Sequence, residues 1–521
     1  MSKLKFLPGK LVAGAVRSYA HLIAGSARPP VLQQITLRRL LQLAGSTEFG
    51  KHYHFESMLR DDSFQQLFSA AVPLYQYNSM FSSWWHRTLS GEENVCWPGR
   101  TSYFALSSGT SQSASKSIPV TGHMLRSTRK VGLLQLANLS SHLLPPSILR
   151  RQVLMVGGST ALSEQNGQWL GDMSGISMLH MPGWFARHFA RPGKQISDLR
   201  GWPERLEAMV KAAPLWDVGV VCGIPCWVQI LLKEIVTRYR LAHIRELWPH
   251  FSLYVHGGVA IEPYRAGISD LAGQKLSFTE TYMASEGSFG FRTGPDREGI
   301  RLIPHAGIYY EFIHFNERNF DEQGNIKGQP VACTLAEVKA GVPYAMVIST
   351  CAGAWRYVIG DVVQFTDVYM KEIVILGRTS QFLNVCGEHV SIHNLSQTIE
   401  LVCSQLEIKI DEFAVAAVKE EEGFTYRWFI ASKMCADQKL LQRMFDGALC
   451  SINDDYSTAR AANLLNLHVE VLPPDIFYGF LRSQGKEGGM FKFPRVLSGT
   501  LLSSWLNYLQ QHSYQAAGTL L

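Results

Sequence analysis

Between residues 101 and 260, short runs rich in β-branched and aromatic residues, "QVLMVGG", "VGVVCGI" and "FSLYVHGG", alternate with helical patterns, "WPERLEAMVKAA" and "WVQILLKEIVTRYRLAHI". Apolar runs of this length suit strands covered on both faces, and the helices between them supply the crossovers that parallel strands require. The alternation predicts an α/β architecture built in layers. From 301 to 376 the pattern turns strand-rich, with "GIYYEFIHF", "PYAMVIST", "DVVQFTDV" and "EIVILG" separated by turns, and predicts a β-subdomain. After "GRTSQF" it changes again, to an αββα set made of "LSQTIELVCSQL", "EFAVAAV", "YRWFIAS" and "LLQRMFDGALCSI". With 521 residues the chain is longer than one core can fill, since single cores stop growing at ~250–300 residues. The expectation is a large N-terminal domain, 1–377, and a small, mobile α+β C-terminal domain, 378–521, with a hinge near 377–380.

Composition narrows the function. Lys and Arg outnumber Asp and Glu by 49 to 43, an excess spread along the chain, so nucleic acid is not an expected partner. The nine cysteines are scattered without zinc spacing, which fits free thiols in a reducing, cytoplasmic setting. The first acidic residue is Glu48, preceded by Lys3, Lys5, Lys10, Arg17 and Arg28. That stretch reads as an amphipathic helix of the mature protein ahead of a transit peptide or a membrane-surface helix. No 18-residue uncharged apolar run predicts stable membrane insertion. Residues 31–69 carry helical spacing broken at "GSTEFG", which predicts two helices around a turn.

Six stretches carry polar groups where such a fold exposes them. "SSGTSQSASK", 107–116, sets small hydroxyl residues beside a glycine, so that N–H and O–H groups can converge on an anion such as phosphate. Walker A spacing would need glycines at the positions of Ser115 and Thr110, so that class of loop is excluded. "HGGVAIEPY", 256–264, ends a strand on Gly257 and Gly258, where a planar ligand can lie on bare backbone. In "TETYMASEG", 279–287, Tyr282 suits an aromatic cover for a base and Glu286 suits a divalent cation. Asp361 in "WRYVIGDVVQF" suits a ribose diol, and Arg378 in "ILGRTSQFLNVCGEHVS" suits the ribose or the phosphates. "GKEGGMFKFPRV", 485–496, places Lys492 beside a glycine-rich loop, with Lys486 as its rival. Each stretch taken alone also reads as an ordinary turn, core aromatic or solvated charge.

Together and in this order they resemble the adenylate-forming superfamily, specifically the Gretchen Hagen family of acyl acid amido synthetases. The resemblance extends through "TEFGKHYHF", "VPLYQY", "GIPCWVQILLKEI" and "HGGVAIEPYR", from about residue 30 to 395, and more loosely through "GGMFKFPR". It implies a ligase using ATP and Mg²⁺. A carboxylic acid attacks the α-phosphate to give an acyl-adenylate and pyrophosphate, and an amino acid or other amine then takes the acyl group and releases AMP. It implies that Ser107, Ser108, Gly109, Thr110 and Ser111 form the phosphate loop, and that Gly257 and Gly258 line the adenine side. Tyr282 and Ser285 would lie beside the nucleotide, Glu286 would hold the metal, Asp361 the ribose, and Arg378 would stand at the hinge. Lys116 or Lys492 would supply a cation, with Lys492 and Glu286 as the catalytic pair. The helix "TGHMLRSTRKVGLLQL" and the "VHGG" strand are the expected walls of the acyl pocket, making His123, Arg126 and His256 candidates.

Two positions depart from the family pattern. Plant members often carry a lysine after the "GE" that follows the hinge, whereas this chain has His389, which is charged only part of the time near neutral pH. Trp355 stands where tyrosine is usual. An acyl-CoA or carrier-loading ligase on the same scaffold, or a nucleotide-binding protein without catalysis, are the competing readings; no coenzyme-binding basic patch is recognisable.

Overall fold

A computed structural model describes residues 28–107, 116–139, 144, 146–295, 297–321, 324–379, 382–383, 390–420, 423–432, 437–461, 465–486 and 492–512. The basic N-terminal stretch, most of the phosphate loop and His389 therefore lie outside the described residues.

The strands are β1 (Tyr103–Ser107), β2 (Lys116–Val120), β3 (Gln152–Val156), β4 (Ser163–Gln165), β5 (Gln168–Gly171), β6 (Ala190–Arg191), β7 (Val218–Gly223), β8 (Leu253–His256), β9 (Ser277–Ala284) and β10 (Gly287–Arg292). They continue as β11 (Ile300–Leu302), β12 (Ile308–His314), β13 (Cys333–Thr334), β14 (Pro343–Thr350), β15 (Tyr357–Asp367), β16 (Glu372–Arg378), β17 (Glu412–Glu420), β18 (Gly423–Ala431) and β19 (Leu465–Leu472). Twelve of them form one sheet in the order β13-β12-β14-β15-β16-β11-β10-β9-β8-β7-β3-β6. Strands β3, β6, β7, β8 and β9 run parallel, and antiparallel pairing begins between β9 and β10. The strand-rich region foreseen after residue 300 is present, and it continues the α/β sheet edge to edge. Sequence periodicity reports which face a strand buries and is silent about the neighbour at its edge. A smaller sheet, β2-β1-β5-β4, carries the strands on either side of residues 108–115, where the phosphate loop is expected.

The principal helices are α1 (Pro29–Ala44), α2 (Gly122–Asn138), α3 (Trp202–Ala212), α4 (Pro225–Tyr239) and α5 (Glu262–Ala272). Local chemistry sets where several of them start. The Thr121 hydroxyl accepts from Met124 N at the head of α2, and a proline stands in the first turn of α3 and of α4. Helices α3, α4 and α5 bury Trp202, Trp227, Val228, Leu231 and Tyr264 against the parallel half of the sheet. Between 48 and 71, where one helix was expected after the turn, three short ones form: Glu48–His52, Phe55–Met58 and Phe64–Ala71. They wrap an aromatic core in which Trp355 is fully buried, its ring 5.7 Å from that of Phe49 and its Nε1 donating to Cys96 O at 3.1 Å.

Arg356, next in sequence, takes a left-handed φ of 41° and turns its guanidinium inward. It bonds both carboxylate oxygens of buried Glu311, at 3.1 and 3.2 Å, and the carbonyls of Ser69 and Val72, at 2.6 and 2.7 Å. This buried charge is paired, and its Nε and Nη1 both donate, which is the condition for tolerating it.

Beyond Arg378 the chain builds a separate three-stranded sheet, β17-β18-β19, flanked by α6 (Ile392–Leu406), α7 (Gln438–Ile452), α8 (Pro474–Ser483) and α9 (Gly499–Gln511). The expected helix–strand–strand–helix set is there. β19, from the alternating "LNLHVEVL", adds a parallel third strand that the sequence reading passed over. Two apolar clusters cover its faces, one around Trp428 and Phe445 and one around Phe477 and Trp505. Among the described residues no helix is long and apolar enough to cross a membrane.

Candidate active site

Strand β9 is parallel to β8 on one side and antiparallel to β10 on the other, so the sheet changes connectivity there. In open α/β sheets ligands bind outside the carboxyl ends of the parallel strands. The ends of β8 and β9 carry Gly257–Gly258 and Ser285–Glu286 respectively, which brings two sequence-predicted stretches to one place.

Gly257 and Gly258 are required by geometry. A Cβ on Gly257 would stand 2.4 Å from Thr281 O, and Gly258 adopts φ +84° with Lys492 Nζ 2.7 Å from where its Cβ would be. Lys492 donates to Gly258 O at 2.5 Å, so the C-terminal part of the chain reaches the end of β8 at this residue. Burial lowers the Lys492 ammonium pKa, and Arg378 adds to this, while Cys226 and Asp361 oppose it.

Asp361 on β15 and Arg378 on β16 face each other as directly paired residues of an antiparallel ladder. Arg378 Nε lies 3.4 Å from Asp361 Oδ1, and its Nη2 donates to Ile359 O at 2.6 Å. The Asp361 carboxylate raises the Arg378 pKa. The Tyr282 hydroxyl donates to Asp361 Oδ2 at 2.5 Å. The Tyr282 ring, expected against a base, instead packs in the core 4.7 Å from Phe289. Its polar end aims the aspartate. Gly377 lies inside β16 opposite Val362, and Thr379 N donates to Gly360 O at 2.8 Å, so this stretch is tied to β15 as far as residue 379.

Glu286 occupies the tight turn between β9 and β10 and is 8% exposed. Burial raises its pKa, opposed by Arg378 and Lys116. Lys116, at the start of β2, is half-buried with its Nζ 5.2 Å from the centre of the Tyr77 ring. Burial and Arg378 lower its pKa, with Glu286 acting against them. Lys116, Glu286, Asp361, Arg378 and Lys492 thus form one electrostatic neighbourhood, cationic in balance, around these strand ends.

Sequence reasoning missed Tyr77. Its hydroxyl accepts from Ser117 N at 2.9 Å, and its ring underlies Lys116, so it braces the strand that leaves the phosphate loop. The "VPLYQY" motif held it without suggesting what it would touch. Of the loop itself, only Ser107 falls among the described residues, as the last residue of β1 paired with Lys116; Ser108, Gly109, Thr110 and Ser111 lie outside them. Lys486 follows α8, and its N–H donates to Leu481 O.

Of the acyl-pocket candidates, His123 and Arg126 share α2, and His256 belongs to β8. His123 opens α2 and accepts from Trp97 Nε1 at 3.2 Å through Nδ1, which leaves its proton on Nε2. Burial, Arg126 and Arg39 lower its pKa, and Arg126 itself is exposed. His256 is 2% exposed within β8; burial, Arg292 and Arg265 push its pKa down to about 3, so it is neutral and enclosed. Near α2, a cleft of about 270 Å³ is lined by Arg100, Tyr103, Thr121, Leu125, Arg129 and His180.

No cluster of three or more His, Cys, Asp or Glu occurs among the described residues, so no all-protein metal cage is built there. Glu286 is a single buried carboxylate beside Arg378 and Lys116, and a Mg²⁺ held there would take its other ligands from phosphates and water.

Family models match in two places: the GH3 family N-terminal domain over residues 21–199 and the GH3 family central domain over 301–375. A jasmonoyl-L-amino acid synthetase of Oryza sativa is 26% identical over 49% of this chain and 47% of its own length. A jasmonoyl-L-amino acid synthetase of Nicotiana attenuata is 27% identical over 52% and 48% respectively. A probable indole-3-acetic acid-amido synthetase of Oryza sativa reaches 34% over 24% and 26%. These matches span about half of the relatives' length at most. The fold is that of the GH3.15 acyl acid amido synthetase structure, with a TM-score of 0.75 over 96% of both chains at 16% identity. A 2-hydroxyisobutyryl-CoA ligase in complex with its acyl-AMP is more distant in shape, with a TM-score of 0.55 over 96% of this chain and 92% of the other at 13% identity.

Proposed function

We propose that this chain, which carries the N-terminal and central domains of the GH3 family, is an ATP-dependent acyl acid amido synthetase acting on a carboxylic acid and an amino acid. The observation that carries the reading is the cluster in which Tyr282 and Arg378 hold Asp361, with Lys492 bonded to Gly258 O just beyond the end of β8. The relatives named as jasmonoyl- and indole-3-acetic acid-amido synthetases supply the class of acceptor and acid.

In this reading Asp361, held by Tyr282 and Arg378, accepts hydrogen bonds from the ribose diol. Gly257 and Gly258 leave room for the base, and residues 107–111 enclose the phosphates with Lys116 at their exit. Carboxylate attack on the α-phosphate brings two anions together, and the charge that shifts to the phosphoryl oxygens needs fixed donors. One such preorganised donor is worth ~3–4 kcal/mol, and in this reading Lys492, freed from Gly258 O, serves as that donor. Holding the two reactants in register adds up to ~7–11 kcal/mol. Glu286 would hold Mg²⁺, which when bound neutralises phosphate charge. The amine then displaces AMP at the acyl carbon, the acyl–oxygen bond breaking as the carbon–nitrogen bond forms. The part of the chain after residue 377 is proposed to move between the two steps. The buried and half-buried free thiols favour a cytoplasmic setting.

The test is exchange of radiolabelled pyrophosphate into ATP across a panel of carboxylic acids, followed by product mass with pooled amino acids. Acid-dependent exchange and an amide product are expected. Exchange that leads to a thioester with coenzyme A, and to no amide, would replace this reading with an acyl-CoA ligase.

A further inference from the structure

Four polar cross-contacts join the part of the chain beyond Arg378 to helices α4 and α5, and two of them, both made by one tyrosine, are buried. Tyr264, on α5, is 1% exposed in the core of the large part. Its hydroxyl donates to Glu412 and accepts from Arg495 Nη2 at 2.9 Å, while Arg495 Nη1 bonds Glu412 Oε2 at 2.5 Å. Glu412 and Arg495 belong to the same body. Arg495 O accepts from Val415 N, Leu497 N donates to Val415 O, and the guanidinium lies 4.3 Å from the centre of the Phe413 ring. Moving that body away from α5 would keep the Glu412–Arg495 pair intact and strip both partners from one phenol.

The other contacts are weaker and wetter: Lys409 to Asp270 at 2.5 Å between exposed side chains, and Gln229 to Asp411 at 3.2 Å. Apolar contact crosses the seam as well, Tyr478 of α8 packing against the core of α4 and α5; relative motion is the default for domains joined in this way unless such contact is extensive. Lys492 stands three residues before Arg495, and Phe493 between them is anchored 4.7 Å from Phe477 and 5.1 Å from Trp505. The lever from Arg495 to Lys492 is therefore short and packed, so the position of one sets that of the other.

We propose that Tyr264 is a positioning residue: with the Glu412–Arg495 pair it latches the body carrying Lys492 in the orientation that serves adenylation, and its release accompanies amide formation. The assignment rests on the two-step reading above. Tyr264→Phe keeps the ring and removes both cross-bonds, whereas Arg495→Ala would strand the buried Glu412 charge and endanger folding.

The experiment compares the full-length wild type with Tyr264→Phe in three measurements. Acid-dependent pyrophosphate exchange reports the first step, amide formation from supplied acyl-adenylate reports the second, and energy transfer reports orientation. The transfer pair is introduced as non-natural amino acids at exposed Leu215 and Arg443, one on each body. The phenol's bonds to a charged pair, worth ~1.5–3 kcal/mol, predict a 10- to 100-fold fall in pyrophosphate exchange. Amide formation should be unchanged or faster, with a broadened transfer distribution. Equal losses in both steps, or an unchanged transfer distribution, overturn the latch. If the wild type exchanges no pyrophosphate with any acid, the two-step reading fails. The transfer distribution then decides the latch by itself, broadened in its favour or unchanged against it.

Discussion

The Tyr282 hydroxyl donates to Asp361 Oδ2 at 2.5 Å across 79 positions of sequence, while Arg378 Nε lies 3.4 Å from the other carboxylate oxygen. Each oxygen of Asp361 is thus oriented before any ligand arrives. Removing the phenol by Tyr282→Phe loosens the aspartate without emptying the core. We expect KM for ATP to rise by roughly tenfold, with kcat less affected, as one charge-assisted hydrogen bond of ~1.5–3 kcal/mol is lost. Asp361→Asn should raise it further, because it also weakens the hold of Arg378.

Gly258 and Lys492 test the site from its other side. Gly258→Ala puts a Cβ on a backbone at φ +84°, 2.7 Å from Lys492 Nζ. Lys492→Ala removes the ammonium outright. Both should lower acid-dependent pyrophosphate exchange, the latter by roughly 10²–10³-fold. Lys492→Ala should leave amide formation from supplied acyl-adenylate near wild type.

Arg356 is a structural part of the "WRYVIGD" motif. Its guanidinium neutralises buried Glu311 and bonds two carbonyls of the N-terminal helical region. Arg356→Ala strands that carboxylate, and we expect a loss of about 3–5 kcal/mol in denaturant unfolding. Arg356→Lys should recover little, since a point charge cannot span the same acceptors.

Acid stability reports on His256. Its folded pKa of about 3 lies below the ordinary value of 6.5. The unfolded chain therefore binds a proton that the folded chain refuses, so stability falls as pH drops from 6.5 towards 3. The slope is at most ~1.4 kcal/mol per pH unit for this one group. His256→Gln should flatten the acid limb of a stability–pH profile by that amount, whatever it does to stability at pH 7.

Strands β3, β7 and β8 and helices α3 and α4 were legible because apolar period and helix-start chemistry are local. Gly257–Gly258 and Ser285–Glu286 fall at the ends of β8 and β9, as glycine and turn chemistry suggest, whereas Asp361, expected at the entry to a strand, is the fifth residue of β15. What local pattern could not supply was the identity of partners. β9 joins parallel and antiparallel halves into one sheet, Tyr282 spends its ring on Phe289 and its hydroxyl on Asp361, and Tyr264 meets a pair near the far end of the chain. Each of these is set by sheet-edge pairing or by docking of distant segments. Both leave the same hydrophobic pattern whichever neighbour is chosen.

In the proposed reaction the acid is activated through its adenylate. The direct measurement follows a carboxylic acid labelled with heavy oxygen in both carboxyl positions through one turnover with ATP and an amino acid, by mass spectrometry of the nucleotide and phosphate products. Attack of the carboxylate on the α-phosphate predicts AMP carrying one heavy oxygen, unlabelled pyrophosphate, and an amide retaining the other. Heavy oxygen in inorganic phosphate with ADP as the nucleotide product, or none in either, would contradict it.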